Sequence, residues 1–116
     1  MNQITLTGNL GRDPEMHYTP SGSAVTEFTL ASTHKYKDGA GHAKEETVWF
    51  HVSCWGKLAE TTNEYLVKGS KALVNGRVSL HEWEHDGRNH ARLQVTAATV
   101  EFLSTKQAEP VDATPV

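Results

Sequence analysis

Residues 47–55 read Thr-Val-Trp-Phe-His-Val-Ser-Cys-Trp, and apolar and polar side chains alternate along most of this stretch. A period of two residues indicates a β-strand with two unlike faces. One face would be apolar and would pack into a core: Val48, Phe50, Val52 and Cys54. The other face would carry both tryptophans together with a histidine, a serine and a threonine. This is the best strand pattern in the chain, and the other elements are placed around it.

Two strands are predicted before this segment and two after it. Residues 3–10 alternate between apolar and polar positions, and residues 24–33 have strand composition. Residues 11–22 lie between them, are rich in proline, glycine and serine, and are expected to form turns. Residues 71–80 alternate again, and the last strand would run from about residue 90 to residue 103.

Shorter features connect these strands. Residues 58–66 carry apolar side chains at helical spacing and are followed by Gly69, which predicts one short helix. Residues 37–42 contain two glycines and are expected to form a flexible loop. The Asp-Gly pair at 86–87 marks a hairpin turn. The apolar register of the last strand shifts near residues 97–98, which predicts a bulge.

This order of elements predicts an all-β fold, a five-stranded Greek-key OB-fold barrel with one short helix between strands 3 and 4. Residues 1–104 would form this single domain. Residues 105–116 contain two prolines and no large apolar side chain, so a short disordered C-terminal tail is expected there. Barrels of this kind bind oligonucleotides or oligosaccharides on one sheet face.

The composition sets outer limits on function. The chain has 116 residues, of which 37% are hydrophobic and 22% are charged, as in globular proteins. It has no long apolar run and no signal-like N-terminus, so neither membrane insertion nor secretion is expected. The single cysteine excludes an internal disulfide and fits a reducing, cytoplasmic setting. The net charge of -3 argues weakly against nucleic-acid binding, because the distribution of charge matters more than its sum.

The tryptophans are the most informative side chains. Trp49 and Trp55 lie six residues apart on one strand, so they share a face at a separation of about 20 Å. That face also carries His51 and Ser53. Exposed rings beside basic groups are typical of proteins that stack single-stranded bases. The alternative is that both rings pack under loops or in a subunit contact, and the pattern alone leaves both interpretations open.

Two further rings extend this pattern. Trp83 shares its alternation with His81 and precedes the predicted hairpin turn, and Tyr36 lies between two lysines beside the glycine-containing loop. Protonation of His51 and His81 would add positive charge beside the tryptophans, so tighter nucleic-acid binding is expected near pH 6 than near pH 8. The predicted binding residues are Tyr36, Trp49, Trp55, Trp83, His51, Lys35, Lys57, Lys68, Lys71 and Arg77.

Catalysis is not indicated. Residues 81–85, His-Glu-Trp-Glu-His, match the letters of a zinc-protease motif that requires a helix. On a strand the two histidines would be about 13 Å apart, too far to share one metal ion. Cys54 lies on the apolar face and is expected to be a buried, inert thiol. Neither a metal nor another cofactor is expected.

The sequence also resembles the bacterial-type single-stranded DNA-binding proteins over about residues 2–104. The similar segments are Thr7–Glu15, Tyr18–Gly22, Phe28–Ala31, Trp55–Glu60 and Tyr65–Ser70. The resemblance implies an OB-fold, a homotetramer built as a dimer of dimers, single-stranded DNA as the partner, and no enzymatic activity.

The resemblance also implies roles for individual residues. Trp49, Trp55 and Trp83 fall at base-stacking positions, and Tyr36 falls where many members have a tryptophan. Lys57 and Lys68 fall at basic positions near the DNA path. Phe50 falls where the family often has a subunit-contact residue.

One feature departs from the family pattern. Members usually end in a long linker and an acidic tip closed by an aromatic residue, which recruits replication and repair enzymes. Here residues 105–116 contain two acids and end Thr114-Pro115-Val116, so recruitment of those enzymes is not expected. The preferred function is sequence-independent binding and protection of single-stranded DNA. An OB-fold protein-interaction module of the replication machinery is the alternative, and an enzyme is a distant third.

Overall fold

Six strands and one helix make up residues 1–104, the part of the chain that a computed structural model describes. The expected tail, residues 105–116, lies outside the described residues. The strands and the helix have the following bounds: β1 Gln3–Leu10, β2 Glu15–Tyr18, β3 Ala24–Lys37, β4 Ala43–Trp55, α1 Lys57–Tyr65, β5 Lys71–His85 and β6 Arg88–Phe102.

The strands form one sheet in the order β1-β5-β6-β4-β3-β2, which closes because the end of β1 also pairs with β3. The closing pairs are Asn9 with Ala31 and Leu10 with Leu30. The pairing of β4 with β6 is parallel, and the other pairings are antiparallel. Five strands therefore form the barrel and α1 lies between its third and fourth strands, so the OB-fold prediction is confirmed.

Strand β2 was not expected, since residues 11–22 were predicted to form turns. The prolines that indicated turns, Pro14 and Pro20, flank β2 instead of interrupting it. The strand has only four residues, and Met16 is its one half-buried side chain. Four residues with a single inward side chain give too little alternation for a pattern to be recognised.

The core fills the barrel with aliphatic side chains from every long strand. The fully buried members include Leu30, Val52, Val74 and Val95. Phe50 also belongs to this core of the single chain. Helix α1 lies against one end of the barrel, where the Thr26 hydroxyl donates to the backbone carbonyl of Ala59 at 2.6 Å.

Cys54 is buried in this core, as predicted for an inert thiol. Burial raises its pKa to about 11, although a hydrogen bond with Thr62 acts in the opposite direction. The thiol is therefore protonated at neutral pH and lacks the thiolate that nucleophilic or metal chemistry needs.

Both predicted irregularities of the last hairpin are confirmed. Asp86 and Gly87 form a two-residue turn with φ angles of 53° and 74°, which place both residues in the left-handed region. Asn75 pairs with Thr99 while Gly76 pairs with Ala97, so the register shift leaves one β6 residue, position 98, unpaired as a bulge.

Both long hairpins continue past the barrel as exposed arms. The β3–β4 arm comprises residues 33–48, and the β5–β6 arm comprises residues 79–92. Because Val48 lies at the base of the first arm, it is exposed instead of joining the core as its alternation suggested. The His-Glu-Trp-Glu-His segment lies on strand β5, as predicted.

Residues 1–104 contain neither a membrane-spanning helix nor a metal-binding cluster. No helix there is long and apolar enough to cross a membrane. No cluster of three or more histidine, cysteine or acidic side chains there is arranged to hold a metal ion.

Candidate nucleic-acid interface

The outward side of β4 carries the two tryptophans that the alternation predicted. Trp49 is 55% exposed and Trp55 is 47% exposed, while Val52 and Cys54 point into the core. The neighbouring strands continue this side of the sheet, since β3 and β6 residues are paired with β4 residues here. We call this surface the tryptophan face: Trp49, His51, Ser53 and Trp55 of β4, Glu27 and Thr29 of β3, and Gln94 and Thr96 of β6.

One edge of the Trp49 ring rests on the loop after β1. A Cβ atom built on Gly11 would lie 2.7 Å from Trp49 Cζ3 and 3.0 Å from Thr29 Oγ1. The backbone of Gly11 is fixed there by its N–H, which donates to the carbonyl of Thr29 at 3.1 Å. The ring is therefore supported at one edge and still half open to solvent, as a stacking platform requires. Neither tryptophan is buried under a loop.

His51 lies between the tryptophans and is held by an acid. Its side chain is 13% exposed, and its Nε2–H donates to Glu27 Oε1 at 3.2 Å. Burial lowers the pKa of His51, as do the charges of Arg92 and Arg12, and together they outweigh Glu27, which raises it. The lowered pKa reduces the positive charge that His51 carries near pH 6 in the free protein, which opposes the expected gain in binding at that pH.

Trp83 lies on the β5–β6 arm in a group of rings. The His81 ring stacks on it at 5.3 Å and the His90 ring at 5.4 Å, measured between centroids. The Arg92 guanidinium carbon lies 5.6 Å from the ring centroid. Trp83 remains 40% exposed, so a base that stacks here would also meet imidazole and guanidinium groups.

The β5–β6 arm has two unlike sides. The strand register puts Trp83 and the basic side chains of the arm on the side that continues the tryptophan face: His81, Trp83, His85, Arg88, His90 and Arg92. The opposite side carries Glu82 and Glu84 together with the apolar Leu80 and Leu93. Within the paired strands of the arm, acids and cations are thus separated by the sheet.

Tyr36 lies on the other side of the β3–β4 arm from Trp49. The register between β3 and β4 is continuous, with Trp49 opposite Ala31 and Tyr36 opposite Lys44, so the two rings have opposite alternation. Tyr36 stacks instead on His34 at 5.5 Å. Lys35 and Lys37 have the alternation of Trp49, so in the arm they are the cations on the side of the tryptophan face.

The remaining predicted cations are exposed but spread over the barrel. Lys57 is the first residue of α1 and follows Trp55 closely, and Arg77 is opposite Thr96 of the tryptophan face. The backbone N–H of Lys68 donates to Asp13 Oδ1 at 2.7 Å, which holds Lys68 beside the loop that contacts Trp49. Lys71 begins β5 at the far end of that strand.

Three charged residues that act on His51 were missed from the sequence. Arg12 and Arg92 both act on His51, and Glu27 binds it directly. Arg92 is opposite His81 in the β5–β6 ladder, so an explicit pairing of the predicted hairpin would have found it. Arg12 lies in an irregular turn, and the sequence holds no signal for its proximity to β4.

Known proteins match this chain over most of its length. The model of the single-strand binding protein family matches residues 1–103. The chain is 41% identical over 106 residues to the single-stranded DNA-binding protein of Helicobacter hepaticus, covering 90% of this chain and 62% of that protein. It is 34% identical over 110 residues to single-stranded DNA-binding protein 1 of Chlorobaculum tepidum, covering 93% and 68% respectively. The chain thus spans about two thirds of the length of these relatives.

Solved structures share the fold. A deletion mutant of the single-stranded DNA binding protein from Thermus aquaticus superposes with a TM-score of 0.76 at 32% identity, covering 94% of this chain and 53% of that one. The Plasmodium falciparum protein in complex with single-stranded DNA superposes with a TM-score of 0.80 at 22% identity, covering 90% and 96%.

Proposed function

This chain belongs to the single-strand binding protein family, and on that premise we propose that it binds and protects single-stranded DNA during replication, recombination and repair. It acts as a binding protein without catalysis and requires no particular base sequence. The observation that carries the proposal is the pair of half-exposed tryptophans, Trp49 and Trp55, on one outward strand face.

The exposed tryptophan rings contribute to DNA affinity by stacking against the bases. Every base has a flat π face, so an exposed tryptophan accepts any of the four, and each stacked base contributes roughly 1–3 kcal/mol. Gly11 supports one edge of the Trp49 ring, so part of the cost of fixing its orientation is met before DNA arrives. Bases would therefore stack on β4, with Trp83 extending the path onto the β5–β6 arm.

The distribution of charge supports the same surface. The chain is acidic overall, with a net charge of -3. Even so, the side of the β5–β6 arm that continues the tryptophan face presents only aromatic, neutral polar and cationic side chains in its paired strands, and Glu82 and Glu84 point the other way. Arg12 and Arg92 are near enough to His51 for their charges to lower its pKa. Phosphates would follow these cations while the bases turn toward the rings.

Self-association is part of the proposal. We infer a homotetramer, a dimer of dimers, because β1 pairs along its length with β5 but pairs with β3 only at its last two residues, which leaves an open strand edge within residues 1–104. Leu80, which is 57% exposed, and Val48 add apolar surface at the bases of the arms. A reducing, cytoplasmic location fits the buried free thiol of Cys54.

The experiment is a titration of the protein with oligo-dT, followed by tryptophan fluorescence and by anisotropy of a labelled strand. Trp49→Ala and Trp55→Ala should each weaken binding by roughly 1–3 kcal/mol, with little dependence on the base. Val52→Ala is the control, because it removes a core side chain and should lower the free energy of unfolding far more than either tryptophan variant. If both tryptophan variants bind as the wild type does, the stacking surface is elsewhere.

Salt dependence separates this function from the alternative of a protein-interaction module. Strand binding should weaken steeply as salt rises, because phosphate contacts release counterions. An apolar contact with a protein partner would not weaken in this way. A flat salt dependence together with no affinity for oligo-dT would favour the interaction module.

A further inference from the structure

A carboxylate lies in the middle of the tryptophan face, where phosphate binding alone would not place one. Glu27 is directly opposite Ser53 in the β3–β4 ladder, so its diagonal neighbours on the same side are His51 and Trp55. Its side chain is 39% exposed. A DNA strand that stacks on Trp55 would therefore pass within reach of this acid, which repels phosphates but accepts hydrogen bonds from base edges.

The carboxylate is held in a fixed position. His51, which is nearly buried, donates its Nε2–H to Glu27 Oε1 at 3.2 Å. One carboxylate has about four lone-pair sites, so this bond leaves acceptor capacity on both oxygens. An acceptor that is already oriented loses less conformational entropy when a ligand binds than a freely rotating one.

The surrounding charges favour one orientation of a bound nucleotide. Arg12 and Arg92 both lie close enough to His51 to influence it, and they supply cations for the phosphates. A strand lowers its electrostatic energy here if its phosphates follow the arginines and a base edge faces Glu27. Stacking on the neighbouring Trp55 leaves the Watson–Crick edge of the base available for such a contact.

We propose that Glu27 reads one base of the bound strand and selects guanine at that position. Ionised glutamate only accepts hydrogen bonds. Guanine presents two adjacent donors on its Watson–Crick edge, N1–H and the N2 amine, which together match the two oxygens of a carboxylate. Adenine and cytosine each place an acceptor nitrogen beside their amine, and thymine places its single N–H between two carbonyls.

This inference rests on the proposed function, and it makes His51 a positioning residue for Glu27. The remaining contacts of the DNA strand do not depend on base sequence, because stacking and phosphate contacts do not distinguish the four bases. The chain would thus bind any single strand but would bind tightest when a guanine occupies this one subsite.

The test compares three oligonucleotides of equal length: all thymine, thymine with isolated guanines, and the same strand with inosine in place of guanine. Inosine keeps N1–H and lacks the N2 amine, so the guanine-to-inosine affinity ratio isolates one donor. Isolated guanines avoid quadruplexes. For the wild type, the guanine strand should bind about tenfold tighter than the inosine strand, the value of one hydrogen bond to a charged group.

Glu27→Gln should bring this ratio close to one, because an amide presents only one acceptor oxygen. It should also tighten binding to the all-thymine strand, because it removes a negative charge and breaks no base contact there. Glu101→Gln is the matched control. Glu101 is an exposed acid near the C-terminal end of β6, opposite Leu73, and its substitution should leave the ratio unchanged. His51→Gln should lower the ratio only in part, and a full wild-type ratio in that variant would remove His51 from the proposal.

The wild-type ratio needs no variant to fold and decides by itself whether a guanine subsite exists. If the wild type binds guanine and inosine strands equally well, the guanine subsite does not exist, while tight binding of all three strands would still support the proposed function. If the wild type binds none of the strands, the proposed function itself fails. A ratio that persists in Glu27→Gln would assign the selection to another residue and overturn the role of Glu27.

Discussion

Gly11→Ala tests whether the position of Trp49, and not only its presence, determines DNA affinity. The added Cβ would lie 2.7 Å from Cζ3 and 3.1 Å from Cη2 of the Trp49 ring. Carbon atoms in ordinary contact lie about 3.5–4.0 Å apart, so the ring must move by roughly 1 Å. Trp49 is half exposed and can swing outward, whereas the Gly11 backbone is fixed by its hydrogen bond to Thr29.

The expected cost falls on binding more than on stability. The fold loses only part of a surface contact, so the free energy of unfolding should fall by no more than about 1 kcal/mol. A displaced ring loses much of the stacking energy of one base, so binding to oligo-dT should weaken by roughly 1–2 kcal/mol, about 5- to 30-fold in affinity. Gly8→Ala should instead lower the free energy of unfolding strongly, because the added Cβ would collide with the backbone carbonyl of Ala31 inside the barrel.

The assay is a double-mutant cycle on oligo-dT affinity, with thermal unfolding measured in parallel. If Gly11→Ala acts through the ring, it should have almost no further effect in a Trp49→Ala background. Gly39→Ala is the control, since a Cβ at this loop position would meet nothing within 4 Å. Additive effects of the two substitutions, or wild-type affinity in Gly11→Ala, would show that the loop contact does not orient the stacking ring.

Three other predictions concern charge, assembly and pH. Lys57→Ala and Lys68→Ala should each reduce the slope of log affinity against log salt by roughly 0.7, and an unchanged slope would place that lysine outside the DNA path. Light scattering at micromolar protein should give a mass above that of one chain, and a monomer mass would contradict the inferred use of the β1 edge. Because the pKa of His51 is lowered in the folded state, the unfolded chain binds its proton more readily below about pH 6.5, so stability should fall as the pH drops through that range. His51→Gln should lack this component, and identical pH profiles for the two proteins would refute the shift.

The sequence predicted the features that depend on local alternation. The two faces of β4, the Asp86-Gly87 turn and the bulge in β6 follow from a period of two residues and from turn chemistry, and each is confirmed. The lengths of the strands in the two arms were underestimated, because the residues of the arms are exposed on both sides of the sheet. The apolar alternation therefore ends at the edge of the barrel, although the hydrogen-bonded ladder continues.

The parts of the site that the sequence did not reveal depend on contacts between distant segments. Gly11 touches Trp49 because the end of β1 closes the barrel against β3, and Glu27 binds His51 because of the exact register between β3 and β4. Burial in the folded sheet and the charges of Arg92 and Arg12 lower the pKa of His51, whereas a histidine between tryptophans suggested a positive charge. Alternation can assign a residue to a face, but it does not give the neighbours supplied by other strands.

The bulge in β6 changes which residues of this strand serve DNA and which serve the core. Before Ala98 the even-numbered Gln94 and Thr96 point outward, whereas after it the even-numbered Val100 is opposite the buried Val74. The numbering parity of the inward and outward side chains of β6 therefore changes at this single residue. Deleting Ala98 would join the two halves in one continuous ladder, with Ala97 opposite Gly76 and Thr99 opposite Asn75, so each half would keep its inward and outward faces and the strand would lose only the local bend of the bulge.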